Sequence, residues 1–181
     1  MKPPKQKQLP AAEIETDLTR IHQLSRERDD ENWEFRSWLK ENAPDNIDGI
    51  VTALSRKYFA LIDCTQCANC CRVAEAGVKD RDIEKLAKFI GVSREEFLRD
   101  YTGRNAANEL ILKRTESGCV FLEGNLCSVY EARPRSCVNF PNLVRGEGSI
   151  ASRMWQLVDR ATYCPIVYNW MEAVKHELGF R

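Results

Sequence analysis

The chain has 181 residues, 43% of them hydrophobic, which suits one sizeable core or a small domain with an appendage. Lys plus Arg and Asp plus Glu both number 27, so the formal net charge is zero and the global basic footprint of a dedicated nucleic-acid binder is excluded. The start, Met1-Lys2-Pro3-Pro4-Lys5-Gln6-Lys7, lacks the apolar core of a secretory signal, and the run Tyr58-Phe59-Ala60-Leu61-Ile62 is far too short to span a bilayer.

Residues 1–10 are rich in Pro, Lys and Gln and read as a disordered leader. From Ala11 a helical pattern begins, with Ile14, Leu18 and Ile21 at helical spacing. Ser25 to Asn32 is almost wholly polar, either a solvated stretch of one long helix or a break. Trp33, Phe35, Trp38 and Leu39 then resume an apolar face until Pro44 stops it. Asp45 to Ile62 predicts a second helix, with Ile47, Ile50, Val51, Leu54, Tyr58, Phe59 and Leu61 as its buried side. Residues 11–59 are therefore expected to be a helical N-terminal appendage, which covers the remainder or recruits a protein partner. Residues 60–181 are expected to form a cysteine-cluster domain.

Val78 to Ile90 predicts a third helix stopped by Gly91, and Ser93-Arg94-Glu95-Glu96 is a capping box that starts a fourth, ending at Tyr101. The pattern then changes. Glu109 to Thr115 reads as a strand, and Cys119-Val120-Phe121-Leu122 with Leu126-Cys127-Ser128-Val129-Tyr130 reads as a hairpin. Pro134 suits the start of a short helix that carries Cys137. Val144 to Ser149 is a glycine-containing loop. Ile150 to Arg160 and Pro165 to Leu178 are closing helices, with Trp155, Trp170 and Met171 as core residues. The fold class expected is α+β, mainly helical, with a small antiparallel sheet around a cysteine-ligated metal centre.

The eight cysteines carry the functional signal. Cys64, Cys67, Cys70 and Cys71 fall within eight residues, and Cys119, Cys127, Cys137 and Cys164 are spread along the rest. All eight are candidate metal ligands. A disulfide scaffold fits poorly, because neighbouring Cys70 and Cys71 cannot bridge without strain and because no secretory signal precedes them. Structural zinc is one reading, since C-x2-C is a common zinc half-site. An iron–sulfur cluster is the reading placed first. Cys64-x2-Cys67-x2-Cys70 has the three-cysteine spacing of a bacterial ferredoxin, and Cys164-Pro165 supplies a remote Cys-Pro. Cys71 is expected to point away from Cys70 and to join Cys119, Cys127 and Cys137. Arg133 and Arg135 flank that last cysteine and could offset thiolate charge, hold an anionic ligand or be plain surface charge. His22 has no cysteine or second histidine near it in sequence and is expected at the surface of its helix or half-buried, and His176, on the amphipathic last helix, is expected at the surface. No nucleophilic His/Asp/Ser set is evident, so an enzyme is neither predicted nor excluded.

The series Cys64-x2-Cys67-x2-Cys70-Cys71, Cys119-x-Phe121-Leu122, Cys127-x-Val129-Tyr130, Arg133-Pro134-x2-Cys137, Phe140-Pro141 and Cys164-Pro165 resembles the YkgJ-type cysteine-cluster (CxxCxxCC) family over about residues 60–170. That resemblance implies a zinc- or iron-chelating domain. One departure is Ala68-Asn69, where many members have a glycine before the double cysteine. A related cysteine-cluster domain occurs in a flagellin lysine methylase, which implies a cluster-dependent, methyltransferase-like enzyme as one alternative. No glycine-rich nucleotide loop supports it here. A structural zinc module for protein interaction is the other alternative. The resulting expectation is a cytoplasmic metal-binding protein with an iron–sulfur ([4Fe–4S]) cluster ahead of zinc, acting in redox or cluster-dependent chemistry.

Overall fold

The computed structural model describes residues 14–144 and 148–180. The leader expected over residues 1–10 lies outside them, as does the middle of the loop expected over 144–149.

The first helix begins later than the apolar spacing suggests. Residues 14–17 are not helical, and α1 (Leu18–Glu27) starts where the Asp17 carboxylate accepts from the Arg20 N–H. The polar stretch is a break: Arg28 leaves helical geometry, and α2 (Asp29–Asn42) follows with Asp29, Asp30 and Glu31 in its first turn, where the helix dipole favours them. The stretch is not wholly solvated, since Ser25 and Asn32 are buried and the Ser25 hydroxyl donates to the Ala161 carbonyl at 2.8 Å. Pro44 ends the pattern and α3 (Ile47–Leu61) carries the chain to the cysteines.

Two hydrophobic cores result. The first joins both ends of the chain. Phe35 and Leu39 of α2 and Val51, Leu54 and Tyr58 of α3 pack against two late helices, α9 (Ile150–Ala161) and α10 (Pro165–Glu177). Trp170 is wholly buried in it, and each buried aliphatic or Phe side chain there contributes roughly 1.5–3 kcal/mol. The second core lies between α6 (Asp80–Ile90), α7 (Arg94–Tyr101) and the β-ribbons, where Phe97, Tyr101 and Phe121 stack with ring centroids 5.3–6.3 Å apart. Asn169, Lys175 and Glu172 of α10 tie the N-terminal segment to the first core. Asn169 exchanges hydrogen bonds with the Glu15 backbone, and buried Lys175 pairs with Glu31 and Glu172.

The antiparallel structure is three two-stranded ribbons rather than one sheet. β1 (Thr102–Arg104) pairs with β2 (Leu110–Leu112), β3 (Arg114–Thr115) with β4 (Gly118–Cys119), and β5 (Leu122–Glu123) with β6 (Leu126–Cys127). The strand expected over 109–115 splits at Lys113, whose N–H turns to the Tyr101 carbonyl. β1 has no period-2 signature in the sequence and forms because β2 offers it an open edge. A 3-10 turn (Tyr130–Ala132) and α8 (Arg135–Asn139) complete this half, with Pro134 just before α8.

Several expected core residues lie outside it. Trp33 is 41% exposed and Trp155 54%, each on the outer face of a helix whose inner face carries Phe35 or Met154. Phe59 and Leu61 of α3 are also exposed, because Val51, Leu54 and Tyr58 already fill the inward stripe. Trp170 and Met171 are buried as expected, and His22 and His176 are at the surface. No helix among the described residues is long and apolar enough to cross a membrane.

Candidate metal centre

The cysteine run folds as two short helical turns. α4 (Cys64–Cys67) is capped by Asp63, whose carboxylate accepts from the Thr65 N–H at 2.8 Å and from its hydroxyl at 2.7 Å. α5 (Asn69–Val73) follows after a single residue, Ala68, at φ +47° and ψ 12°. That left-handed conformation is the one a glycine adopts without strain. The absence of glycine noted in the sequence thus falls on the residue that reverses the chain between Cys67 and Cys70.

Hydrogen bonds then fasten the run to three other parts of the molecule. The Asn69 side chain donates to the Tyr163 carbonyl at 2.8 Å, beside Cys164 at the start of α10. The Arg72 guanidinium donates to the Cys67 carbonyl at 3.0 Å, to the Gly124 carbonyl at 2.9 Å and to the Asn125 side chain, while Asn125 returns a bond to the Gln66 carbonyl. The β5–β6 turn is therefore held over α4. The Arg114 guanidinium donates to the Ala74 and Arg72 carbonyls at the end of α5, which fixes β3 there. Gly118 of β4 lies so close to α5 that a Cβ on it would be 2.7 Å from the Cys71 carbonyl oxygen and 2.8 Å from the Arg72 Cα. No spacing rule singles out Arg72, Arg114, Gly118 or Asn125. Each acts on backbone groups brought near only by folding.

The thiols collect in two overlapping neighbourhoods, linked where Cys64 also feels Cys71. Cys164 feels Cys64 and Cys67, and Cys70 feels Cys164 and Cys64. Cys137 feels Cys119, Cys71 and Cys127, and the other two hairpin thiols also feel Cys71. Cys70 and Cys71 do not diverge as expected. The backbone there is helical rather than extended, and the two thiols are close enough to couple, which raises Cys70 and lowers Cys71 to about 6. The double cysteine is thus the junction between the two groups. All eight cysteines are free. Among the described residues no three Cys, His, Asp or Glu side chains close on one ion position.

The charge environment is mixed. Burial pushes Cys164 and Cys137 up to about 12. Burial likewise raises Cys119 and Cys127, while the N–H groups of Phe121 and Val129 pull the other way. Backbone N–H groups near sulfur and nearby arginines are what a thiolate-bound group requires, and a metal's own charge removes the remaining protons. The all-thiol donor set, with Arg72, Arg114 and Arg133 around it, fits such a group. Sulfur donors suit a soft or borderline metal rather than a hard cation, which selects oxygen. Arg135, by contrast, is exposed, and only its backbone N–H is engaged, to Asp82 at 2.9 Å.

A family model described as "CxxCxxCC: Putative zinc- or iron-chelating domain" matches residues 63–165, more than half of the chain. The chain belongs to the CxxCxxCC family. The matched span begins at the Asp63 cap and ends at Pro165, so it encloses all eight cysteines and both thiol neighbourhoods. No solved structure matches the chain. The CxxCxxCC segment draws on helices outside that span to support its last cysteine, since α10 runs from Pro165 into the first core beside α3.

Proposed function

We propose that this CxxCxxCC protein is a carrier of two thiolate-ligated metal centres, iron–sulfur in kind, serving electron transfer or redox sensing. Cys64, Cys67, Cys70 and Cys164 would hold the first, and Cys71, Cys119, Cys127 and Cys137 the second. The observation that carries the reading is the ferredoxin-like Cys64-x2-Cys67-x2-Cys70 loop lying beside the remote Cys164-Pro165. An iron–sulfur group supplies one-electron storage, and its potential responds to charge, hydrogen bonds and exposure around the sulfurs. The chain contributes the thiols, the N–H groups of the hairpins, the arginine charges and a largely buried position for Cys164.

Protein purified without oxygen should contain iron and acid-labile sulfide in matching amounts and show a broad visible absorption band that bleaches on reduction. Stoichiometric zinc with neither iron nor sulfide, from cells grown with ample iron, would replace this reading with structural zinc.

A further inference from the structure

Three arginines approach the thiols, and two are fully engaged elsewhere. Arg72 and Arg114 spend their guanidinium groups on backbone carbonyls and the Asn125 side chain. Arg133 is different. Its guanidinium lies over the Tyr130 ring at 3.7 Å from the centroid, and its Nε is buried with no hydrogen-bond partner. Among the described residues no carboxylate pairs with it. Stacking occupies only the face of the guanidinium and leaves its N–H groups free in the plane. An unpartnered cationic group in a half-buried position is costly unless negative charge arrives to meet it.

Its surroundings indicate where that charge arises. The positive charge of Arg133 reaches Cys64 in one thiol neighbourhood and Cys71 and Cys127 in the other. Cys127 and Cys137 flank it in the chain, and Pro134 together with the 3-10 turn fixes the backbone between them.

We infer that Arg133 is the shared counter-charge of the two centres, a positioning residue that sets metal retention, and the reduction potential where the metal is iron–sulfur, at both centres together. The inference rests on the two-centre reading above. Occupied four-thiolate centres carry net negative charge. A cation between them lowers the cost of holding both, and of adding an electron to either.

The test uses the full chain, purified without oxygen, as wild type, Arg133→Gln, Arg133→Lys and Arg135→Gln. Metal release to an added chelator is followed for each, and the reduction potentials are titrated when iron and sulfide are present. Arg133→Gln is expected to bind metal but release it about tenfold faster from both centres, and to lower both potentials by ~59 mV, a tenfold change for a one-electron couple. Arg133→Lys, which keeps the charge, should recover most of both effects, and Arg135→Gln should change neither. A loss of packing alone would not be rescued by lysine and would not move the two potentials together. If Arg133→Gln does not fold, Tyr130→Leu is read instead. By releasing the guanidinium it should shift both centres the same way by less, and no shift would overturn the inference. Wild-type protein that holds metal while Arg133→Gln behaves like it, or alters one centre only, overturns the inference alone. Wild-type protein that holds no metal overturns the metal reading and this inference with it.

Discussion

Cys64→Ser or Cys164→Ser should strip one metal centre and leave the other partly occupied, so that total metal falls below half. Cys119→Ser or Cys127→Ser should do the reverse. The expectation follows from how the thiols are supported. Cys64, Cys67 and Cys70 share two short helical turns, and Cys164 reaches them from the start of α10, with the Asn69 bond to Tyr163 closing the gap. Cys119 and Cys127 stand on the ribbons, packed against the second core, and Cys137 stands on α8. Loss of one ligand damages its own site far more than loss of a bystander. The partial loss at the distant centre arises because Cys70 and Cys71 are adjacent and interact, so strain at one centre passes through α5 to the other. Metal analysis of the four variants checks the pattern. Parallel loss of all metal in every variant would mean one shared centre.

Gly118→Ala should be the most damaging change at a residue that is not itself a thiol. Gly118 adopts φ +129°, where an L-residue is strained, and an added Cβ would lie 2.7 Å from a backbone oxygen and 2.8 Å from a backbone Cα. Neither atom belongs to a flexible side chain, so the β3–β4 hairpin must move off α5. Strain and overpacking together cost about 3 kcal/mol. Because Cys119 is the next residue, the displacement falls on the second centre. Denaturant unfolding should report the stability loss, and metal analysis should show the second centre depleted while the first is retained. Alanine tolerated with full metal content would mean that the close approach to Cys71 does not position Cys119.

The sequence made the short loop legible because ligand spacing is local: three cysteines at two-residue gaps can only lie close together. It made most helices legible for the same reason. Ser93 and Glu96 form the capping box at α7, and Gly91 takes the left-handed C-cap of α6. Tertiary choices were not legible. Trp155 looked like core by composition, yet Met154, Leu157 and Val158 fill the buried face of α9 and leave it exposed. The helical turn at Cys70-Cys71 was not legible, because it depends on Ala68 accepting a left-handed backbone, which propensity argues against. The fastening arginines were invisible because their acceptors are carbonyls up to 52 residues away. Arg133 could be singled out beside Cys137, but its lack of a partner, and the difference between it and exposed Arg135, appear only in the fold.

The central claim is that eight thiols make two separate centres. Anomalous scattering from crystals of the anaerobically purified chain, recorded at the absorption edge of the bound metal, tests it most directly. Two resolved sites are predicted, one ligated by Cys64, Cys67, Cys70 and Cys164 and the other by Cys71, Cys119, Cys127 and Cys137. A single site, or two sites that mix these sets, would contradict it.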